Sequence, residues 1–413
     1  MTARMTRRQA LAGAGVTVAG LLAGCRPVTL PPPQAIAVTS PAATPVPAAP
    51  TREAEPAETI NPELRRKLAQ MVMTGFRGLT LEADNPIVAA VRNLGIGGVV
   101  LFSFDVALLS PVRNIESPEQ VAALNASLRE LADTPLLIAA DQEGGWVARL
   151  NEAHGFPPTL SHQELGERND PAFTYDSAAQ MACTLIAAGI NHNFAPVVDV
   201  NTNPDNPVIG AIGRSFSDDP TTVTEHAAAF IRAHRDAGVT TTLKHFPGHG
   251  SSRADSHLGF VDVTETWQPL ELEPYRDLIG EGLVDSIMTA HVFNGQLDPD
   301  TVATLSKPVI TGILREEMGF DGVIFSDDMQ MSAIAGNYGF EEAVIGAVAA
   351  GVDVLAVGSN LAYDPEIAVK IVDILAAAVM AGQIDEAQID ASNRRIAALK
   401  AKSAGSALSA AST

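Results

Sequence analysis

Eight short apolar segments alternate with longer amphipathic segments between residues 59 and 402, and this alternation restricts the possible folds most. Strands that alternate with helices form parallel sheets with crossover helices. Eight such strands in one domain predict an α/β fold, a (β/α)8 TIM-type barrel. A doubly wound open sheet is the alternative, but no GxGxxG or phosphate loop follows a strand. The predicted strands are residues 70–76, 97–102, 136–140, 192–198, 240–243, 285–289, 322–325 and 352–356.

Three segments flank this domain. In residues 1–25, two arginines precede a short apolar run that ends in Leu-Ala-Gly-Cys25, as in a signal peptide. The ending resembles a lipobox, which implies that Cys25 is acylated and that the protein is exported and lipid-anchored to the outer face of the cell membrane. An ordinary secretory signal, which would give a secreted protein, is the alternative. Residues 26–58, rich in Pro and Ala, predict an extended tether, and residues 403–413 a disordered tail.

Charge and cysteine content narrow the possible partners. The formal net charge is -21, which disfavours binding to nucleic acid or directly to anionic lipid. The chain has two cysteines, too few for a disulfide framework or a cysteine-rich zinc site. Cys183 lies in an amphipathic helical pattern, and we expect it to be a small buried core residue. We expect a membrane contact only through the lipid anchor, and a monomer.

Polar side chains follow the predicted strands where each apolar run stops. In a TIM barrel, catalytic groups come from the C-terminal ends of several strands. The sequence therefore predicts an active site at this end of the barrel. The residues in question are Asp141, Asp199, Lys244, His245, His291 and Asp327.

The chemistry of these residues fits glycoside hydrolysis. Asp327 emerges directly from an apolar strand, and a carboxylate can attack an anomeric carbon and form a glycosyl ester. Asp328 should point away from the site because adjacent residues of an extended chain face opposite sides, so that one of the pair could cap the following helix. Asp255 and His257 lie two apart on an extended segment, so Asp255 can orient an imidazole that gives and takes a proton.

Two other functions remain open at this point. His245, His249, His257 and Asp255 could bind zinc in a barrel metallohydrolase, although the Pro and Gly between the first two remove helical spacing. A lipid-anchored sugar or solute receptor is the other possibility, and it would need no nucleophile. No nucleotide or cofactor motif is present in the sequence, so we predict an enzyme without a cofactor.

Five motifs resemble family 3 glycoside hydrolases, in the β-N-acetylglucosaminidase branch that acts in peptidoglycan turnover. They lie in family order and the likeness covers residues 62–400. The motifs are DQEGG at 141–145, NPVIGAIGRSF at 206–216, KHFPGHGSSRADSH at 244–257, MTAHV at 288–292 and FDGVIFSDDMQM at 320–331.

The resemblance implies a retaining mechanism on terminal β-linked N-acetylglucosamine in an oligosaccharide or muropeptide. It implies Asp327 as nucleophile and His257, paired with Asp255 on a mobile loop, as acid/base. It also implies that the sugar is held by Asp141, Arg149, Arg214, Lys244 and His245. A β-glucosidase, a β-xylosidase or an N-acetylglucosaminide phosphorylase is the alternative activity. Trp146 stands where the family usually has Arg, and it could provide an apolar platform at the rim that alters aglycone preference.

Overall fold

The computed structural model describes residues 60–405. The predicted signal peptide with Cys25, the tether and most of the predicted tail lie outside these residues. The last helix ends at Gly405, three residues beyond the predicted end of the domain. None of the described helices combines the length and apolar character needed to cross a membrane.

Eight parallel strands form the central sheet, in chain order around a barrel. Parallel pairing joins each of the first six strands to the next, and the first strand also pairs with the eighth. A parallel bridge between Phe325 and Val354 closes the remaining gap, so the (β/α)8 barrel prediction is confirmed. The strands are β1 Val72–Gly75, β2 Gly98–Val100, β3 Leu137–Ala140, β4 His192–Asn193, β5 Thr240–Phe246, β6 Ser286–Thr289, β7 Val323–Phe325 and β8 Leu355–Val357.

Each strand overlaps its predicted segment but differs from it in length, and the differences at β4 and β5 affect the site. β4 is shorter, since Pro196 has no N–H to donate to a ladder, and only an isolated bridge from Val197 to Lys244 continues the pairing. β5 is longer and includes Lys244 and His245. These two side chains are therefore carried by the barrel wall itself.

Helices surround the barrel, and several begin with a proline preceded by a side chain that caps the first turn. Asp219, for example, accepts from the Thr222 amide at 2.9 Å ahead of the helix that starts at Pro220. The α-helices span Pro62–Gln70, Pro86–Ala89, Pro118–Leu131, His162–Arg168, Pro171–Ala187, Pro220–Ala237, Glu273–Gly280, Ser332–Ala335, Phe340–Ala350, Ile367–Met380 and Glu386–Gly405. Ala90–Leu94 and Pro308–Glu317 are π-helical, and short 3₁₀ turns span Glu152–His154, Gly210–Ile212, Pro269–Leu272 and Ala303–Leu305.

The prediction that Cys183 is a buried core residue was wrong, because the cysteine is exposed. Its helix, Pro171–Ala187, turns Ala178, Met181, Ala182 and Leu185 to the core. The spacing of these residues places Cys183 on the outer side of the same helix.

Candidate active site

A cavity of about 470 Å³ opens at the C-terminal ends of the strands. The eight residues to which the resemblance gives a role in catalysis or sugar binding line it, whereas Asp199 and His291, also predicted at strand ends, do not. The eight are Asp141, Arg149, Arg214, Lys244, His245, Asp255, His257 and Asp327. The fold therefore brings into one concave site groups that are up to 186 positions apart in the chain.

One wall of the cavity is a buried network of charges centred on Lys244. Its ammonium group lies 2.7 Å from Asp141 Oδ1 and 2.6 Å from Glu143 Oε1. Arg149 contacts the second oxygen of Asp141 at 3.1 Å. Arg214 donates two parallel hydrogen bonds to Glu143, at 2.7 and 2.8 Å. This bidentate geometry fixes the guanidinium plane relative to the carboxylate plane.

These pairings keep both carboxyl groups ionised. Burial acts to raise the pKa of Asp141, but Lys244 and Arg149 lower it to about 2. Burial also opposes ionisation of Glu143, yet Arg214 and Lys244 hold its pKa well below the usual range. Glu143 is therefore a fixed carboxylate and does not suit the role of proton donor. Glu143 belongs to the DQEGG motif, but the sequence gave no sign of its two cationic partners.

Asp199, which lies at the end of the fourth apolar segment, binds the His245 ring through a hydrogen bond. The His245 Nδ1 lies 2.7 Å from Asp199 Oδ2, and the His245 and His249 amides donate to Oδ1 at 3.2 and 2.8 Å. Burial works against ionisation of Asp199, but His245 and the other donors lower its pKa overall. Asp199 thus orients His245 toward the cavity, a role that the sequence did not specify.

Asp327 follows β7 and lies in the cavity floor. Its Oδ1 accepts from the Asp328 amide at 2.8 Å. Burial acts to raise the pKa of Asp327, but His291, His245 and His257 lower it overall. The neighbouring Asp328 behaves oppositely, since burial raises its pKa to about 6. Asp327 is therefore the member of the pair that stays ionised to the lower pH.

Asp328 was expected to face away from the site and possibly to cap a helix. It lines the same cavity as Asp327, so the expectation that only one of the pair faces the cavity was wrong. Its carboxylate accepts from the Gln330 amide at 3.0 Å, whereas the helix Ser332–Ala335 has no side-chain cap. The chain turns immediately after β7, and this turn removes the strand alternation on which the expectation depended.

The second catalytic candidate lies on the loop after β5. Asp255 Oδ1 accepts from both the amide and the Nδ1 of His257, each at 2.8 Å. This contact fixes which ring nitrogen faces Asp255 and leaves Nε2 for another partner. The His257 side chain is 52% exposed and that of Asp255 is 26% exposed. The pair is thus open to solvent while still lining the cavity.

Ser256, between these two residues, joins the loop to the buried part of the site. It is only 2% exposed, and its Oγ lies 3.1 Å from His249 Nε2. Its carbonyl accepts from the Ala333 amide at 3.2 Å. Burial lowers the pKa of His249 to about 4, with a further contribution from His245, so this ring is neutral near pH 7. A neutral imidazole can form this single bond to the serine without a counter-ion.

The four residues considered as zinc ligands do not converge. His245 is bonded to Asp199, His249 to Ser256, and His257 to Asp255. Within residues 60–405, no three His, Cys, Asp or Glu side chains are grouped in a way that could hold a metal ion.

The sequence of this chain matches a known protein family. The glycosyl hydrolase family 3 N-terminal domain matches residues 63–399. A beta-hexosaminidase of Tolumonas auensis is 38% identical over 296 residues, which cover 70% of this chain and 83% of that protein.

Two solved structures are similar as well. A family 3 beta-N-acetylglucosaminidase from Paenibacillus is 40% identical with a TM-score of 0.75, over 83% of this chain but 62% of that one. A beta-N-acetylhexosaminidase from Beutenbergia cavernae is 31% identical with a TM-score of 0.73, over 82% of this chain and 98% of that one. The family match covers almost all of the barrel, and this chain belongs to glycosyl hydrolase family 3.

Proposed function

We propose that this chain is a retaining, exo-acting β-N-acetylhexosaminidase that hydrolyses terminal β-linked N-acetylglucosamine. The observation that carries the proposal is a single cavity that contains an ionised carboxylate, Asp327, and a solvent-accessible His257–Asp255 pair. Hydrolysis with retention needs one nucleophile and one group that donates and then accepts a proton. The names of the relatives, beta-hexosaminidase and beta-N-acetylglucosaminidase, support the choice of sugar.

The first step forms a covalent intermediate. Asp327 attacks the anomeric carbon, and the bond from that carbon to the leaving oxygen breaks. His257 Nε2 gives its proton to this oxygen, and Asp255 stabilises the imidazolium beforehand. In the second step, His257 takes a proton from water as the water oxygen attacks the same carbon, and Asp327 leaves as a carboxylate. The configuration is inverted twice and is therefore retained.

The charged wall holds the sugar during both steps. Asp141 accepts hydrogen bonds from sugar hydroxyl groups, while Lys244, Arg149, Arg214 and His245 donate to sugar oxygens. Their mutual ion pairs orient these donors before the substrate arrives, so the side chains lose little conformational freedom when the sugar binds.

The test is release of the chromophore from an aryl β-N-acetylglucosaminide by the purified protein, with and without a chelator. We expect activity in both conditions and a much lower rate on the matching β-glucoside and β-xyloside. Loss on chelation that zinc restores would instead support a metallohydrolase. A 1-phospho-sugar product in phosphate buffer would identify a phosphorylase.

We further propose that the protein is exported and anchored to the outer face of the cell membrane through an acylated Cys25. There, as a monomer, it acts on peptidoglycan fragments. The lipobox-like sequence before Cys25 supports the anchor. Cys25→Ser should move the protein from the membrane fraction to the soluble fraction, and continued membrane binding would contradict the proposal. Product analysis on muropeptides and on chito-oligosaccharides tests the natural substrate.

A further inference from the structure

Trp146 is the tip of a two-stranded hairpin at the rim of the active site, and 83% of it is exposed. The hairpin pairs Gln142–Gly144 with Val147–Ala148 and carries Glu143, a member of the buried charge network. A large aromatic ring beside a binding cavity is placed to pack against a bound ligand.

The backbone beneath Trp146 is held firmly. Gly144 and Gly145 have φ angles of 105° and 59°, which disfavour other residues. A Cβ on Gly144 would lie 1.9 Å from the Leu160 carbonyl oxygen, and one on Gly145 would lie 2.6 Å from Ser161 Cβ. The Gly145 amide also donates to the Thr159 carbonyl at 3.0 Å. The tip therefore packs directly on residues 159–161, and Trp146 is presented from a fixed position.

A second cleft, of about 560 Å³, lies beside Trp146. It adjoins the active-site cavity, since Ile212 lines both. Most polar groups in its wall already have partners. Asn151 is bonded to the Ala148 carbonyl and the Ala153 amide, and the Gln163 amide nitrogen donates to Glu167 at 2.7 Å. The Glu164 carboxylate accepts from the amide and hydroxyl of Ser161 at 2.8 Å, and the Gln163 Oε1 remains as an acceptor. The cleft thus offers an apolar ring and an amide oxygen, which suits a ligand with a C–H face and hydroxyl or acetamide N–H groups.

We propose that this Trp146 cleft is an aglycone subsite for the sugar residues that follow the terminal N-acetylglucosamine in an N-acetylated oligosaccharide. The inference rests on the proposed function, because an exo-acting enzyme encloses only the terminal sugar. The buried Glu143 and Lys244 mark the inner end of the cavity and the exposed His257 the outer end. The remainder of the substrate must cross the rim, and the indole face packs against the C–H groups of a pyranose there.

Fluorescence tests binding without turnover. The chain has two tryptophans, and Trp267 is buried with its Nε1 bonded to the Pro247 carbonyl at 3.0 Å. In Asp327→Asn protein, triacetylchitotriose should shift the emission to shorter wavelength, whereas N-acetylglucosamine alone should bind without this shift. Adding Trp146→Phe should abolish the shift. Calorimetric binding of the trisaccharide without any shift would overturn the proposal.

Kinetics give a second readout. In Trp146→Ala, the kcat/KM ratio of triacetylchitotriose to an aryl β-N-acetylglucosaminide should fall about tenfold, because the apolar stacking surface is lost. Trp146→Phe should keep most of the ratio. Leu109→Ala removes another exposed apolar side chain, from the loop that supplies Phe104 and Val106 to the cavity, and should not change the ratio. An unchanged ratio in Trp146→Ala, or a fall in Leu109→Ala instead, would overturn the subsite. Failure of the native protein on every glycoside would overturn the proposed function, while the fluorescence titration would still decide whether the subsite exists.

Discussion

The segment from Lys244 to His257 contains two regions with opposite physical character. The binding half, Lys244–His249, is buried and bonded to carboxylates that follow β3 and β4 in the chain. The loop half, Arg253–His257, exposes its catalytic pair, whose side chains bond chiefly to each other. Sugar recognition benefits from groups fixed in advance, whereas proton transfer to a departing group and then from water needs access to solvent. We therefore expect substitutions in the binding half to change mainly the stability of the fold, and substitutions in the loop half to change mainly the rate of turnover.

The largest effect on activity is expected at the nucleophile, Asp327, which lies outside both halves. Asp327→Asn keeps the shape of the side chain but removes the anion that attacks the sugar. We expect kcat to fall by about 10⁴-fold or more, with little change in unfolding temperature. The measurement is steady-state hydrolysis of an aryl β-N-acetylglucosaminide together with thermal unfolding. Activity near the native level would show that the two halves act with a different nucleophile.

Lys244→Met tests the binding half. The substitution leaves Asp141 and Glu143 with one cationic partner fewer in a buried site, so unfolding free energy should fall by about 3 kcal/mol. Urea unfolding measures this loss. The matched control is Lys370→Met, since the Lys370–Asp364 pair has a similar 2.6 Å distance but is exposed. We expect little change in the urea midpoint there. Equal losses would mean that burial of the network contributes nothing.

His257→Ala tests the loop half. Its rate loss should be about 10²-fold or more on poor leaving groups and smaller on nitrophenolate, which departs without a proton. Stability should be unchanged because the ring is half exposed. A series of aryl glycosides with leaving groups of increasing basicity provides the measurement. The same loss across the series would argue against a general acid on this loop.

The sequence predicted much of this arrangement, and the exceptions have a common cause. Apolar segments, and the polar residues that follow them, are local features of the sequence. They were therefore sufficient to predict the eight strands and the residues that line the cavity. The partners of those residues depend on contacts between distant positions. Lys244 and Asp141 are 103 positions apart, and local pattern could not pair them, nor reveal that Asp199 supports His245. The turn after β7 likewise overrode the alternation expected for Asp328.

Acid should weaken the binding half. The folded-state pKa of Asp141 is about 2, below its ordinary 3.8, so its pairing stabilises the protein fully above about pH 4. That contribution, about 2 kcal/mol, is lost as the pH falls through the folded-state value. Urea midpoints at pH 6, 4 and 3 measure the decline, and Asp141→Asn should flatten it. A native midpoint that stays constant down to pH 3 would contradict the ion-pair account.

The smallest effect should come from the bond that joins the halves, between His249 and Ser256. Ser256→Ala removes the hydroxyl that His249 contacts, so the loop should hold His257 in its working position for a smaller share of the time. The kcat value should fall a few fold, about the equivalent of one neutral hydrogen bond, while KM changes little because the sugar contacts are intact. Ser256→Thr, which retains a hydroxyl, should recover part of the loss. Because the bond acts on proton donation, the loss should be larger for poor leaving groups, as for His257→Ala. A rise in KM with unchanged kcat would mean instead that Ser256 supports the binding half, and that the two halves are less separate than their burial indicates.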